Sequence, residues 1–180
     1  MTHLKLAHSP DPDDAFMWWP LVGLDGSGPC IDTGGYTFEL VAEDIQALNE
    51  ISAEARYDIT AMSCAQYARV ADRYALTACG ASMGDGYGPK LVSADPARAE
   101  DLAQPDTVIA VPGMHTSAFG ALSLLLGPGN FTPLHLPFDE IIDAVAADQC
   151  PAGVVIHEGQ LTFGDAGLHL VEDLGACRHS

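Results

Sequence analysis

The sequence predicts an α/β protein of two units, each a sheet of short strands covered by helices. Three observations predict it. Short β-like runs alternate with helix-like runs along the chain, and the links between them are brief, which implies parallel sheets built from strand–helix–strand units. Of the 180 residues, 48% are apolar, enough to bury a real core. A stretch with four glycines and a proline, Gly80 to Pro89, separates two similar-looking halves as a hinge or crossover. The first unit is expected over residues 1–90 and the second over 91–175.

Leu4–His8 reads as the first strand. Asp11, Asp13 and Asp14 then offer N-cap acids to a helix carrying Phe16, Met17, Trp18 and Leu21. Gly23–Gly35 is a loop, and Tyr36–Ala42 alternates as the second strand. Asp44 caps a helix with Ile45, Leu48 and Ile51 on one side. Asp58–Met62 is the third strand, Ser63–Val70 the helix after it, and Tyr74–Ala78 a fourth strand. In the second half Thr107–Val111 is a strand stopped by Pro112 and Gly113, and Ser117–Leu126 is a helix. Thr132–Leu136 is a strand, and Asp139–Ala147 a helix with Ile141, Ile142 and Val145 inward. Gly153–Ile156 is an apolar strand running into His157, and Leu168–Val171 is the last strand.

Twenty-five acids against seven bases give a net charge of −18, spread over both halves. That balance excludes a nucleic-acid binder, which needs a basic face, and opposes docking on an anionic membrane. No apolar run reaches the roughly 18 residues that span a bilayer. The start of the chain lacks the regions of a secretion signal, so a cytoplasmic protein is expected. Five cysteines, Cys30, Cys64, Cys79, Cys150 and Cys177, have no C-x-x-C spacing and read as free thiols in a reducing compartment. No metal-site spacing and no cofactor motif is present, so neither metal nor cofactor is expected.

Ligands of open α/β sheets bind beyond the carboxyl ends of the strands. The residues there are His8–Ser9, Ser63–Cys64, His115–Thr116–Ser117 and His157–Glu158. Ser63, and Thr116 with Ser117, open helices directly after strands, where exposed N–H groups can hold a carboxylate or phosphate; plain helix capping is the alternative. His157 is the sharpest candidate. A neutral imidazole at a sheet edge can act as a base, although a hydrogen-bonded histidine without chemistry fits the position too. His8 and His115 have weaker claims. Asp11, Asp13 and Asp14 read as helix caps rather than a metal site, and Trp18–Trp19 as core rather than a pocket wall.

Four segments carry a family resemblance. HSPDPDDAF (His8–Phe16) resembles the S-P-C-P-N-D-T-F signature of the 1,4-dihydroxy-6-naphthoate synthases and their relatives in the futalosine route to menaquinone. PGMHTSA (Pro112–Ala118) resembles their P-G-x-H-T-T-A, and AGVVIHEGQLTF (Ala152–Phe163) their A-G-L-I-I-H-E-x-x-x-T-F. Asp173-Leu174-Gly175 resembles their D-L-G. The resemblance implies the fold of type 2 periplasmic solute-binding proteins: two α/β lobes with a ligand cleft between them. It implies a lyase that removes a proton from cyclic dehypoxanthinyl futalosine and expels the ribose-derived part, with His157 as the base. Substrate contacts would fall on Ser9, on Ala61, Met62 and Ser63, and on Thr116, Ser117 and Ala118, and the substrate would be a small carboxylate.

The chain also departs from the family pattern. Ala61-Met62-Ser63 stands where many synthases have Lys-Leu-Ser, which removes a cation that could hold the substrate carboxylate. Asp11, Asp13 and Ala15 replace Cys, Asn and Thr. Family chains continue well past D-L-G, so residues 176–180 are expected to be the start of a return to the first lobe, on a truncated or split product. That lobe would be incomplete, with uncovered apolar surface prone to self-association. A non-catalytic binder of small carboxylates on the same fold, or an inactive fragment, is the alternative to the lyase. A chorismate dehydratase-like relative is opposed by the I-H-E motif.

Overall fold

The computed structural model describes residues 1–24 and 27–176. Asp25 and Gly26 in the expected loop, and Cys177 to Ser180 of the expected return segment, lie outside the described residues. The chain divides into two compact units, Met1–Met83 and Gly84–Ser180.

Unit 1 contains β1 (Thr2–His8), α1 (Pro12–Val22), β2 (Tyr36–Ala42), α2 (Ile45–Ser52), β3 (Ile59–Thr60) and α3 (Cys64–Val70). Its three strands are all parallel, in the order β2-β1-β3. β1 and β2 pair along their whole length, from Thr2 against Tyr36 to His8 against Ala42. β3 is shorter than the sequence suggests and pairs only Ile59 and Thr60 with Leu6 and Ala7. Tyr74–Ala78, expected as a strand, forms no strand: its residues are mostly exposed and follow the end of α3, with Tyr74 O–H donating to the Tyr57 carbonyl at 3.1 Å. An apolar run without a neighbour to pair with gains nothing from extending as β-structure.

Unit 2 contains β4 (Lys90–Ser93), α4 (Ala99–Leu102), β5 (Val108–Val111), α5 (Ser117–Leu126), β6 (Thr132–His135), α6 (Ile141–Ala146), β7 (Ala152–Val155), α7 (Gly159–Thr162) and β8 (His169–Asp173). The sheet order is β6-β5-β7-β4-β8. β5, β6 and β7 are parallel, as expected, but β4 runs antiparallel to both β7 and β8, so this sheet is mixed. β4 was missed in the sequence because its four residues emerge straight from the glycine-rich crossover.

Two apolar layers sandwich the sheet of unit 2. On one side Leu91, Ile109, Val111 and Val154 pack with Leu122 and Leu126 of α5. On the other, Val92, Ala110 and Val155 pack with Ile141 and Val145 of α6. Alternation along each strand divides its residues between the two layers. Gly153 makes the second layer possible: a Cβ there would stand 2.6 Å from Ile141 Cγ2 and 3.0 Å from Val145 Cγ2. The two ends of this unit also meet. Leu174 N–H donates to the Pro89 carbonyl at 2.8 Å, and a Cβ on Gly88 would stand 2.6 Å from the Gly175 Cα. The four described cysteines are free thiols, and burial pushes the Cys150 thiol above its ordinary value. No helix among the described residues is long and apolar enough to cross a membrane.

Candidate functional site

In unit 1 the parallel strands end at one edge, and the polar residues beyond it are tied down individually. Ser9 follows β1. Its N–H donates to Asp14 Oδ2 at 2.7 Å and its hydroxyl donates to Asp11 Oδ2 at 2.5 Å. All three residues are buried. Asp11 is the N-cap residue of α1, but its side chain makes no cap bond; the carboxylates of this turn hold Ser9 instead. Burial pushes the Asp14 carboxyl above its ordinary value, against the pull of the Ser9 N–H. His8 is buried, with Nδ1 at 2.7 Å from the Ser9 carbonyl. A carbonyl only accepts, so Nδ1 carries the proton. The His8 ring packs on Trp18 at 4.9 Å between centroids, and the Trp18 indole N–H is buried with no partner among the described residues.

Ala61, Met62 and Ser63 follow β3 on the same edge. Ala61 N–H donates to the Ala7 carbonyl at 2.8 Å, carrying the ladder one residue past β3. Ser63 precedes α3 as its N-cap residue, yet its side chain makes no cap bond. Asn49 holds it instead: Asn49 Oδ1 accepts from Ser63 N–H at 2.9 Å, and Asn49 Nδ2 donates to Ser63 Oγ at 3.0 Å. Asn49 is fully buried, at 0% exposure. Sequence reading missed it. The available signal was its spacing: Asn49 stands four residues after Ile45 and next to Leu48, a polar side chain on the helix side that faces the core.

In unit 2 the loops after β5 and β7 share the carboxyl edge of the parallel strands, since Ile109 pairs with Ala152 and Ala110 with Gly153. Thr116 caps α5, and its hydroxyl is used twice. It accepts from Phe119 N–H at 3.2 Å and donates to the Gly113 carbonyl at 2.6 Å. Its side chain therefore serves the helix start. What faces outward there is Ser117, which is exposed. Ala118 itself is buried.

His157 lies two residues past β7, partly exposed, with φ +51°. That is the left-handed region, which costs an L-residue roughly 1–2 kcal/mol. Its ring meets the Phe138 ring edge-on at 5.2 Å. Gln160 braces the turn: with its amide nitrogen on the Gly88 carbonyl at 2.7 Å, its oxygen accepts from His157 N–H at 3.3 Å. A cation stands at this edge too. Because β4 is antiparallel, its first residue Lys90 pairs with Val155, and Lys90 Nζ lies 2.6 Å from Asp173 Oδ2. Burial pushes the Asp173 carboxyl up, but Lys90 together with the Gly175 and Ala176 N–H groups outweighs it and holds the group below its ordinary value.

Comparisons with known proteins extend over almost the whole chain. A family model described as menaquinone biosynthesis matches residues 4–177. The 1,4-dihydroxy-6-naphthoate synthase of Thermus thermophilus is 37% identical over 98% of this chain and 60% of its own length. A crystal structure of an Archaeoglobus fulgidus protein superposes with a TM-score of 0.83 and 41% identity, covering 96% of this chain and 60% of that one. The alkanesulfonate-binding protein of Xanthomonas axonopodis pv. citri is 16% identical, with a TM-score of 0.65 over 96% of this chain and 61% of its own. That last likeness shows the fold, an α/β fold of the solute-binding type. The chain spans about three fifths of the length of the curated relatives it matches. By the extent of the family match and the identity to the synthase, the chain belongs to the menaquinone biosynthesis family.

Proposed function

We propose that this chain carries the base and part of the substrate-holding surface of a carbon–carbon lyase that converts cyclic dehypoxanthinyl futalosine to 1,4-dihydroxy-6-naphthoate. In this reading the His157 imidazole takes the proton whose loss lets the ribose-derived part depart. Ser63 and Ser117 hold the ligand's oxygens, while Ser9, Ala61, Met62, Thr116 and Ala118 shape the surfaces around them.

The observation that carries the reading is the backbone of His157. A residue with a bulky side chain occupies a costly conformation, immediately beyond a strand whose Val154 and Val155 are fully packed. A ring that merely filled space could sit there without that cost. The left-handed turn and the Phe138 contact fix one direction for the imidazole, as a general base needs.

His157→Asn tests it, because asparagine tolerates the left-handed region. The variant should lose about 100- to 10,000-fold in turnover, read by mass spectrometry of the naphthoate product, with the affinity for that product nearly unchanged. Undiminished turnover would move the base elsewhere. A parent chain that binds without forming product would point to a non-catalytic binder of carboxylates.

A further inference from the structure

Asn49 lies near the middle of α2 with no exposed surface, although it is polar. Its amide orientation is fixed by its partners. A backbone N–H can only donate, so the atom 2.9 Å from Ser63 N is the oxygen, and the atom 3.0 Å from Ser63 Oγ is the nitrogen. That nitrogen can only donate as well. The Ser63 oxygen is therefore the acceptor in this bond, and its own proton points to some other acceptor. Ser63 makes no cap bond to α3, and it is partly exposed. The clamp is braced from both helices: the Asn49 carbonyl accepts from Ser52 Oγ at 2.6 Å and from Gln66 Nε2 at 2.9 Å, and Gln66 Nε2 also donates to Ser52 Oγ at 3.0 Å.

We infer that Asn49 is a positioning residue whose side-chain amide makes the Ser63 hydroxyl a hydrogen-bond donor toward a carboxylate or carbonyl oxygen of the ligand. The inference rests on Ser63 being a ligand contact, and it adds the chemical class of what Ser63 meets: an acceptor, not a donor. Ser9 shows the opposite arrangement, its proton already committed to Asp11. Of these two serines, the one held by an amide nitrogen, Ser63, is the one with a proton to spend on a ligand.

Asn49→Asp is nearly isosteric and inverts the polarity. An ionised aspartate still accepts from Ser63 N–H, but its second oxygen takes the Ser63 proton for itself. Protonated, it again offers a donor to Ser63 Oγ. With 1,4-dihydroxy-6-naphthoate as the probe, titrated calorimetrically at pH 8, Asn49→Asp should weaken binding about 10- to 100-fold, as should Ser63→Ala. The double variant should bind no worse than Ser63→Ala alone. Lowering the pH should restore Asn49→Asp toward the parent's affinity at the same pH, which a general loss of packing would not do. Should Asn49→Asp fail to melt cooperatively, Asn49→Ala replaces it in the same double-variant comparison.

Parent-like affinity of the Asn49 variants beside a weakened Ser63→Ala would overturn this inference and leave the lyase reading standing. So would losses that simply add. Parent-like affinity of Ser63→Ala, or a parent that does not bind the probe, would overturn both the Ser63 contact and the inference built on it, whatever His157→Asn does.

Discussion

Among the described residues, unit 2 buries nineteen apolar residues and two polar ones, whereas unit 1 buries four apolar and eight polar or charged ones. The difference follows from their sheets. Five strands with apolar residues on both faces make two dry layers in unit 2. The three parallel strands of unit 1 leave much of its interior to side chains that bond to backbone and to one another: Ser9 with Asp11 and Asp14, Asn49 with Ser52, Ser63 and Gln66. Apolar packing is tolerant of direction, while hydrogen bonds are not. Unit 1 is thus built where atoms must be aimed, and unit 2 where a sheet must be held rigid under one aimed ring.

The contrast breaks first where packing is removed. Leu122→Ala in unit 2 should cost about 2–5 kcal/mol, because Leu122 is fully buried against the sheet. Urea unfolding followed by far-UV circular dichroism measures it. The same curve followed by tryptophan fluorescence should shift less, since both tryptophans, Trp18 and Trp19, belong to unit 1. Next comes Gln66→Ala, expected to cost about 1–3 kcal/mol by leaving buried groups of α2 short of a partner, and expected to move the fluorescence transition first. A fluorescence midpoint that stays in place would remove the claim that polar bonds hold unit 1.

The smallest effect sharpens the comparison through its sign. Asp14 in unit 1 is held above 3.8 by burial, so the folded chain binds its proton more readily than the unfolded one. Its contribution to stability is therefore largest in acid and declines as pH climbs from 3.8 through the raised value. Asp14→Asn should flatten that decline and gain on the parent at neutral pH. Asp173 in unit 2 is held below 3.8, so its stabilisation is present above 3.8 and is lost as pH falls through the lowered value. Asp173→Asn should be less stable than the parent at neutral pH, with the gap closing in acid. Urea midpoints across a pH series, taken for each variant against the parent, should slope in opposite directions.

What the sequence discloses follows the same division. α5 was legible because Thr116 caps it and ten residues with no breaker other than Gly120 follow. β5 and β7 were legible because buried parallel strands read as unbroken apolar runs. His157 could be placed because the strand before it could be placed. β4 was not legible, since its four residues acquire their partners, β7 and β8, only from distant parts of the chain. Tyr74–Ala78 misled for the complementary reason: strand-like composition with nothing to pair against. In unit 1 Asp44 caps α2 as read, its side chain accepting from Gln46 N–H at 2.8 Å, whereas the caps read at α1 and α3 are the right residues in other roles. Asp11 and Asp14 hold Ser9, and the serine before α3 is held from α2. Composition signals that a polar group stands near a turn, but its partner depends on atoms many residues away, as Asn49 and Ser63 illustrate across fourteen positions.

The touching glycines, Gly88 and Gly175, carry a consequence for engineering and for descent. Where a module's first and last strands leave it side by side, the polypeptide can be cut out, re-closed with a short tether, or spliced into a host loop without stretching anything inside. Residues 84–176 therefore have the geometry of a transplantable cassette. The absence of both Cβ atoms is what lets the two passing backbones share one narrow gate, and a methyl group on either would prise that gate open.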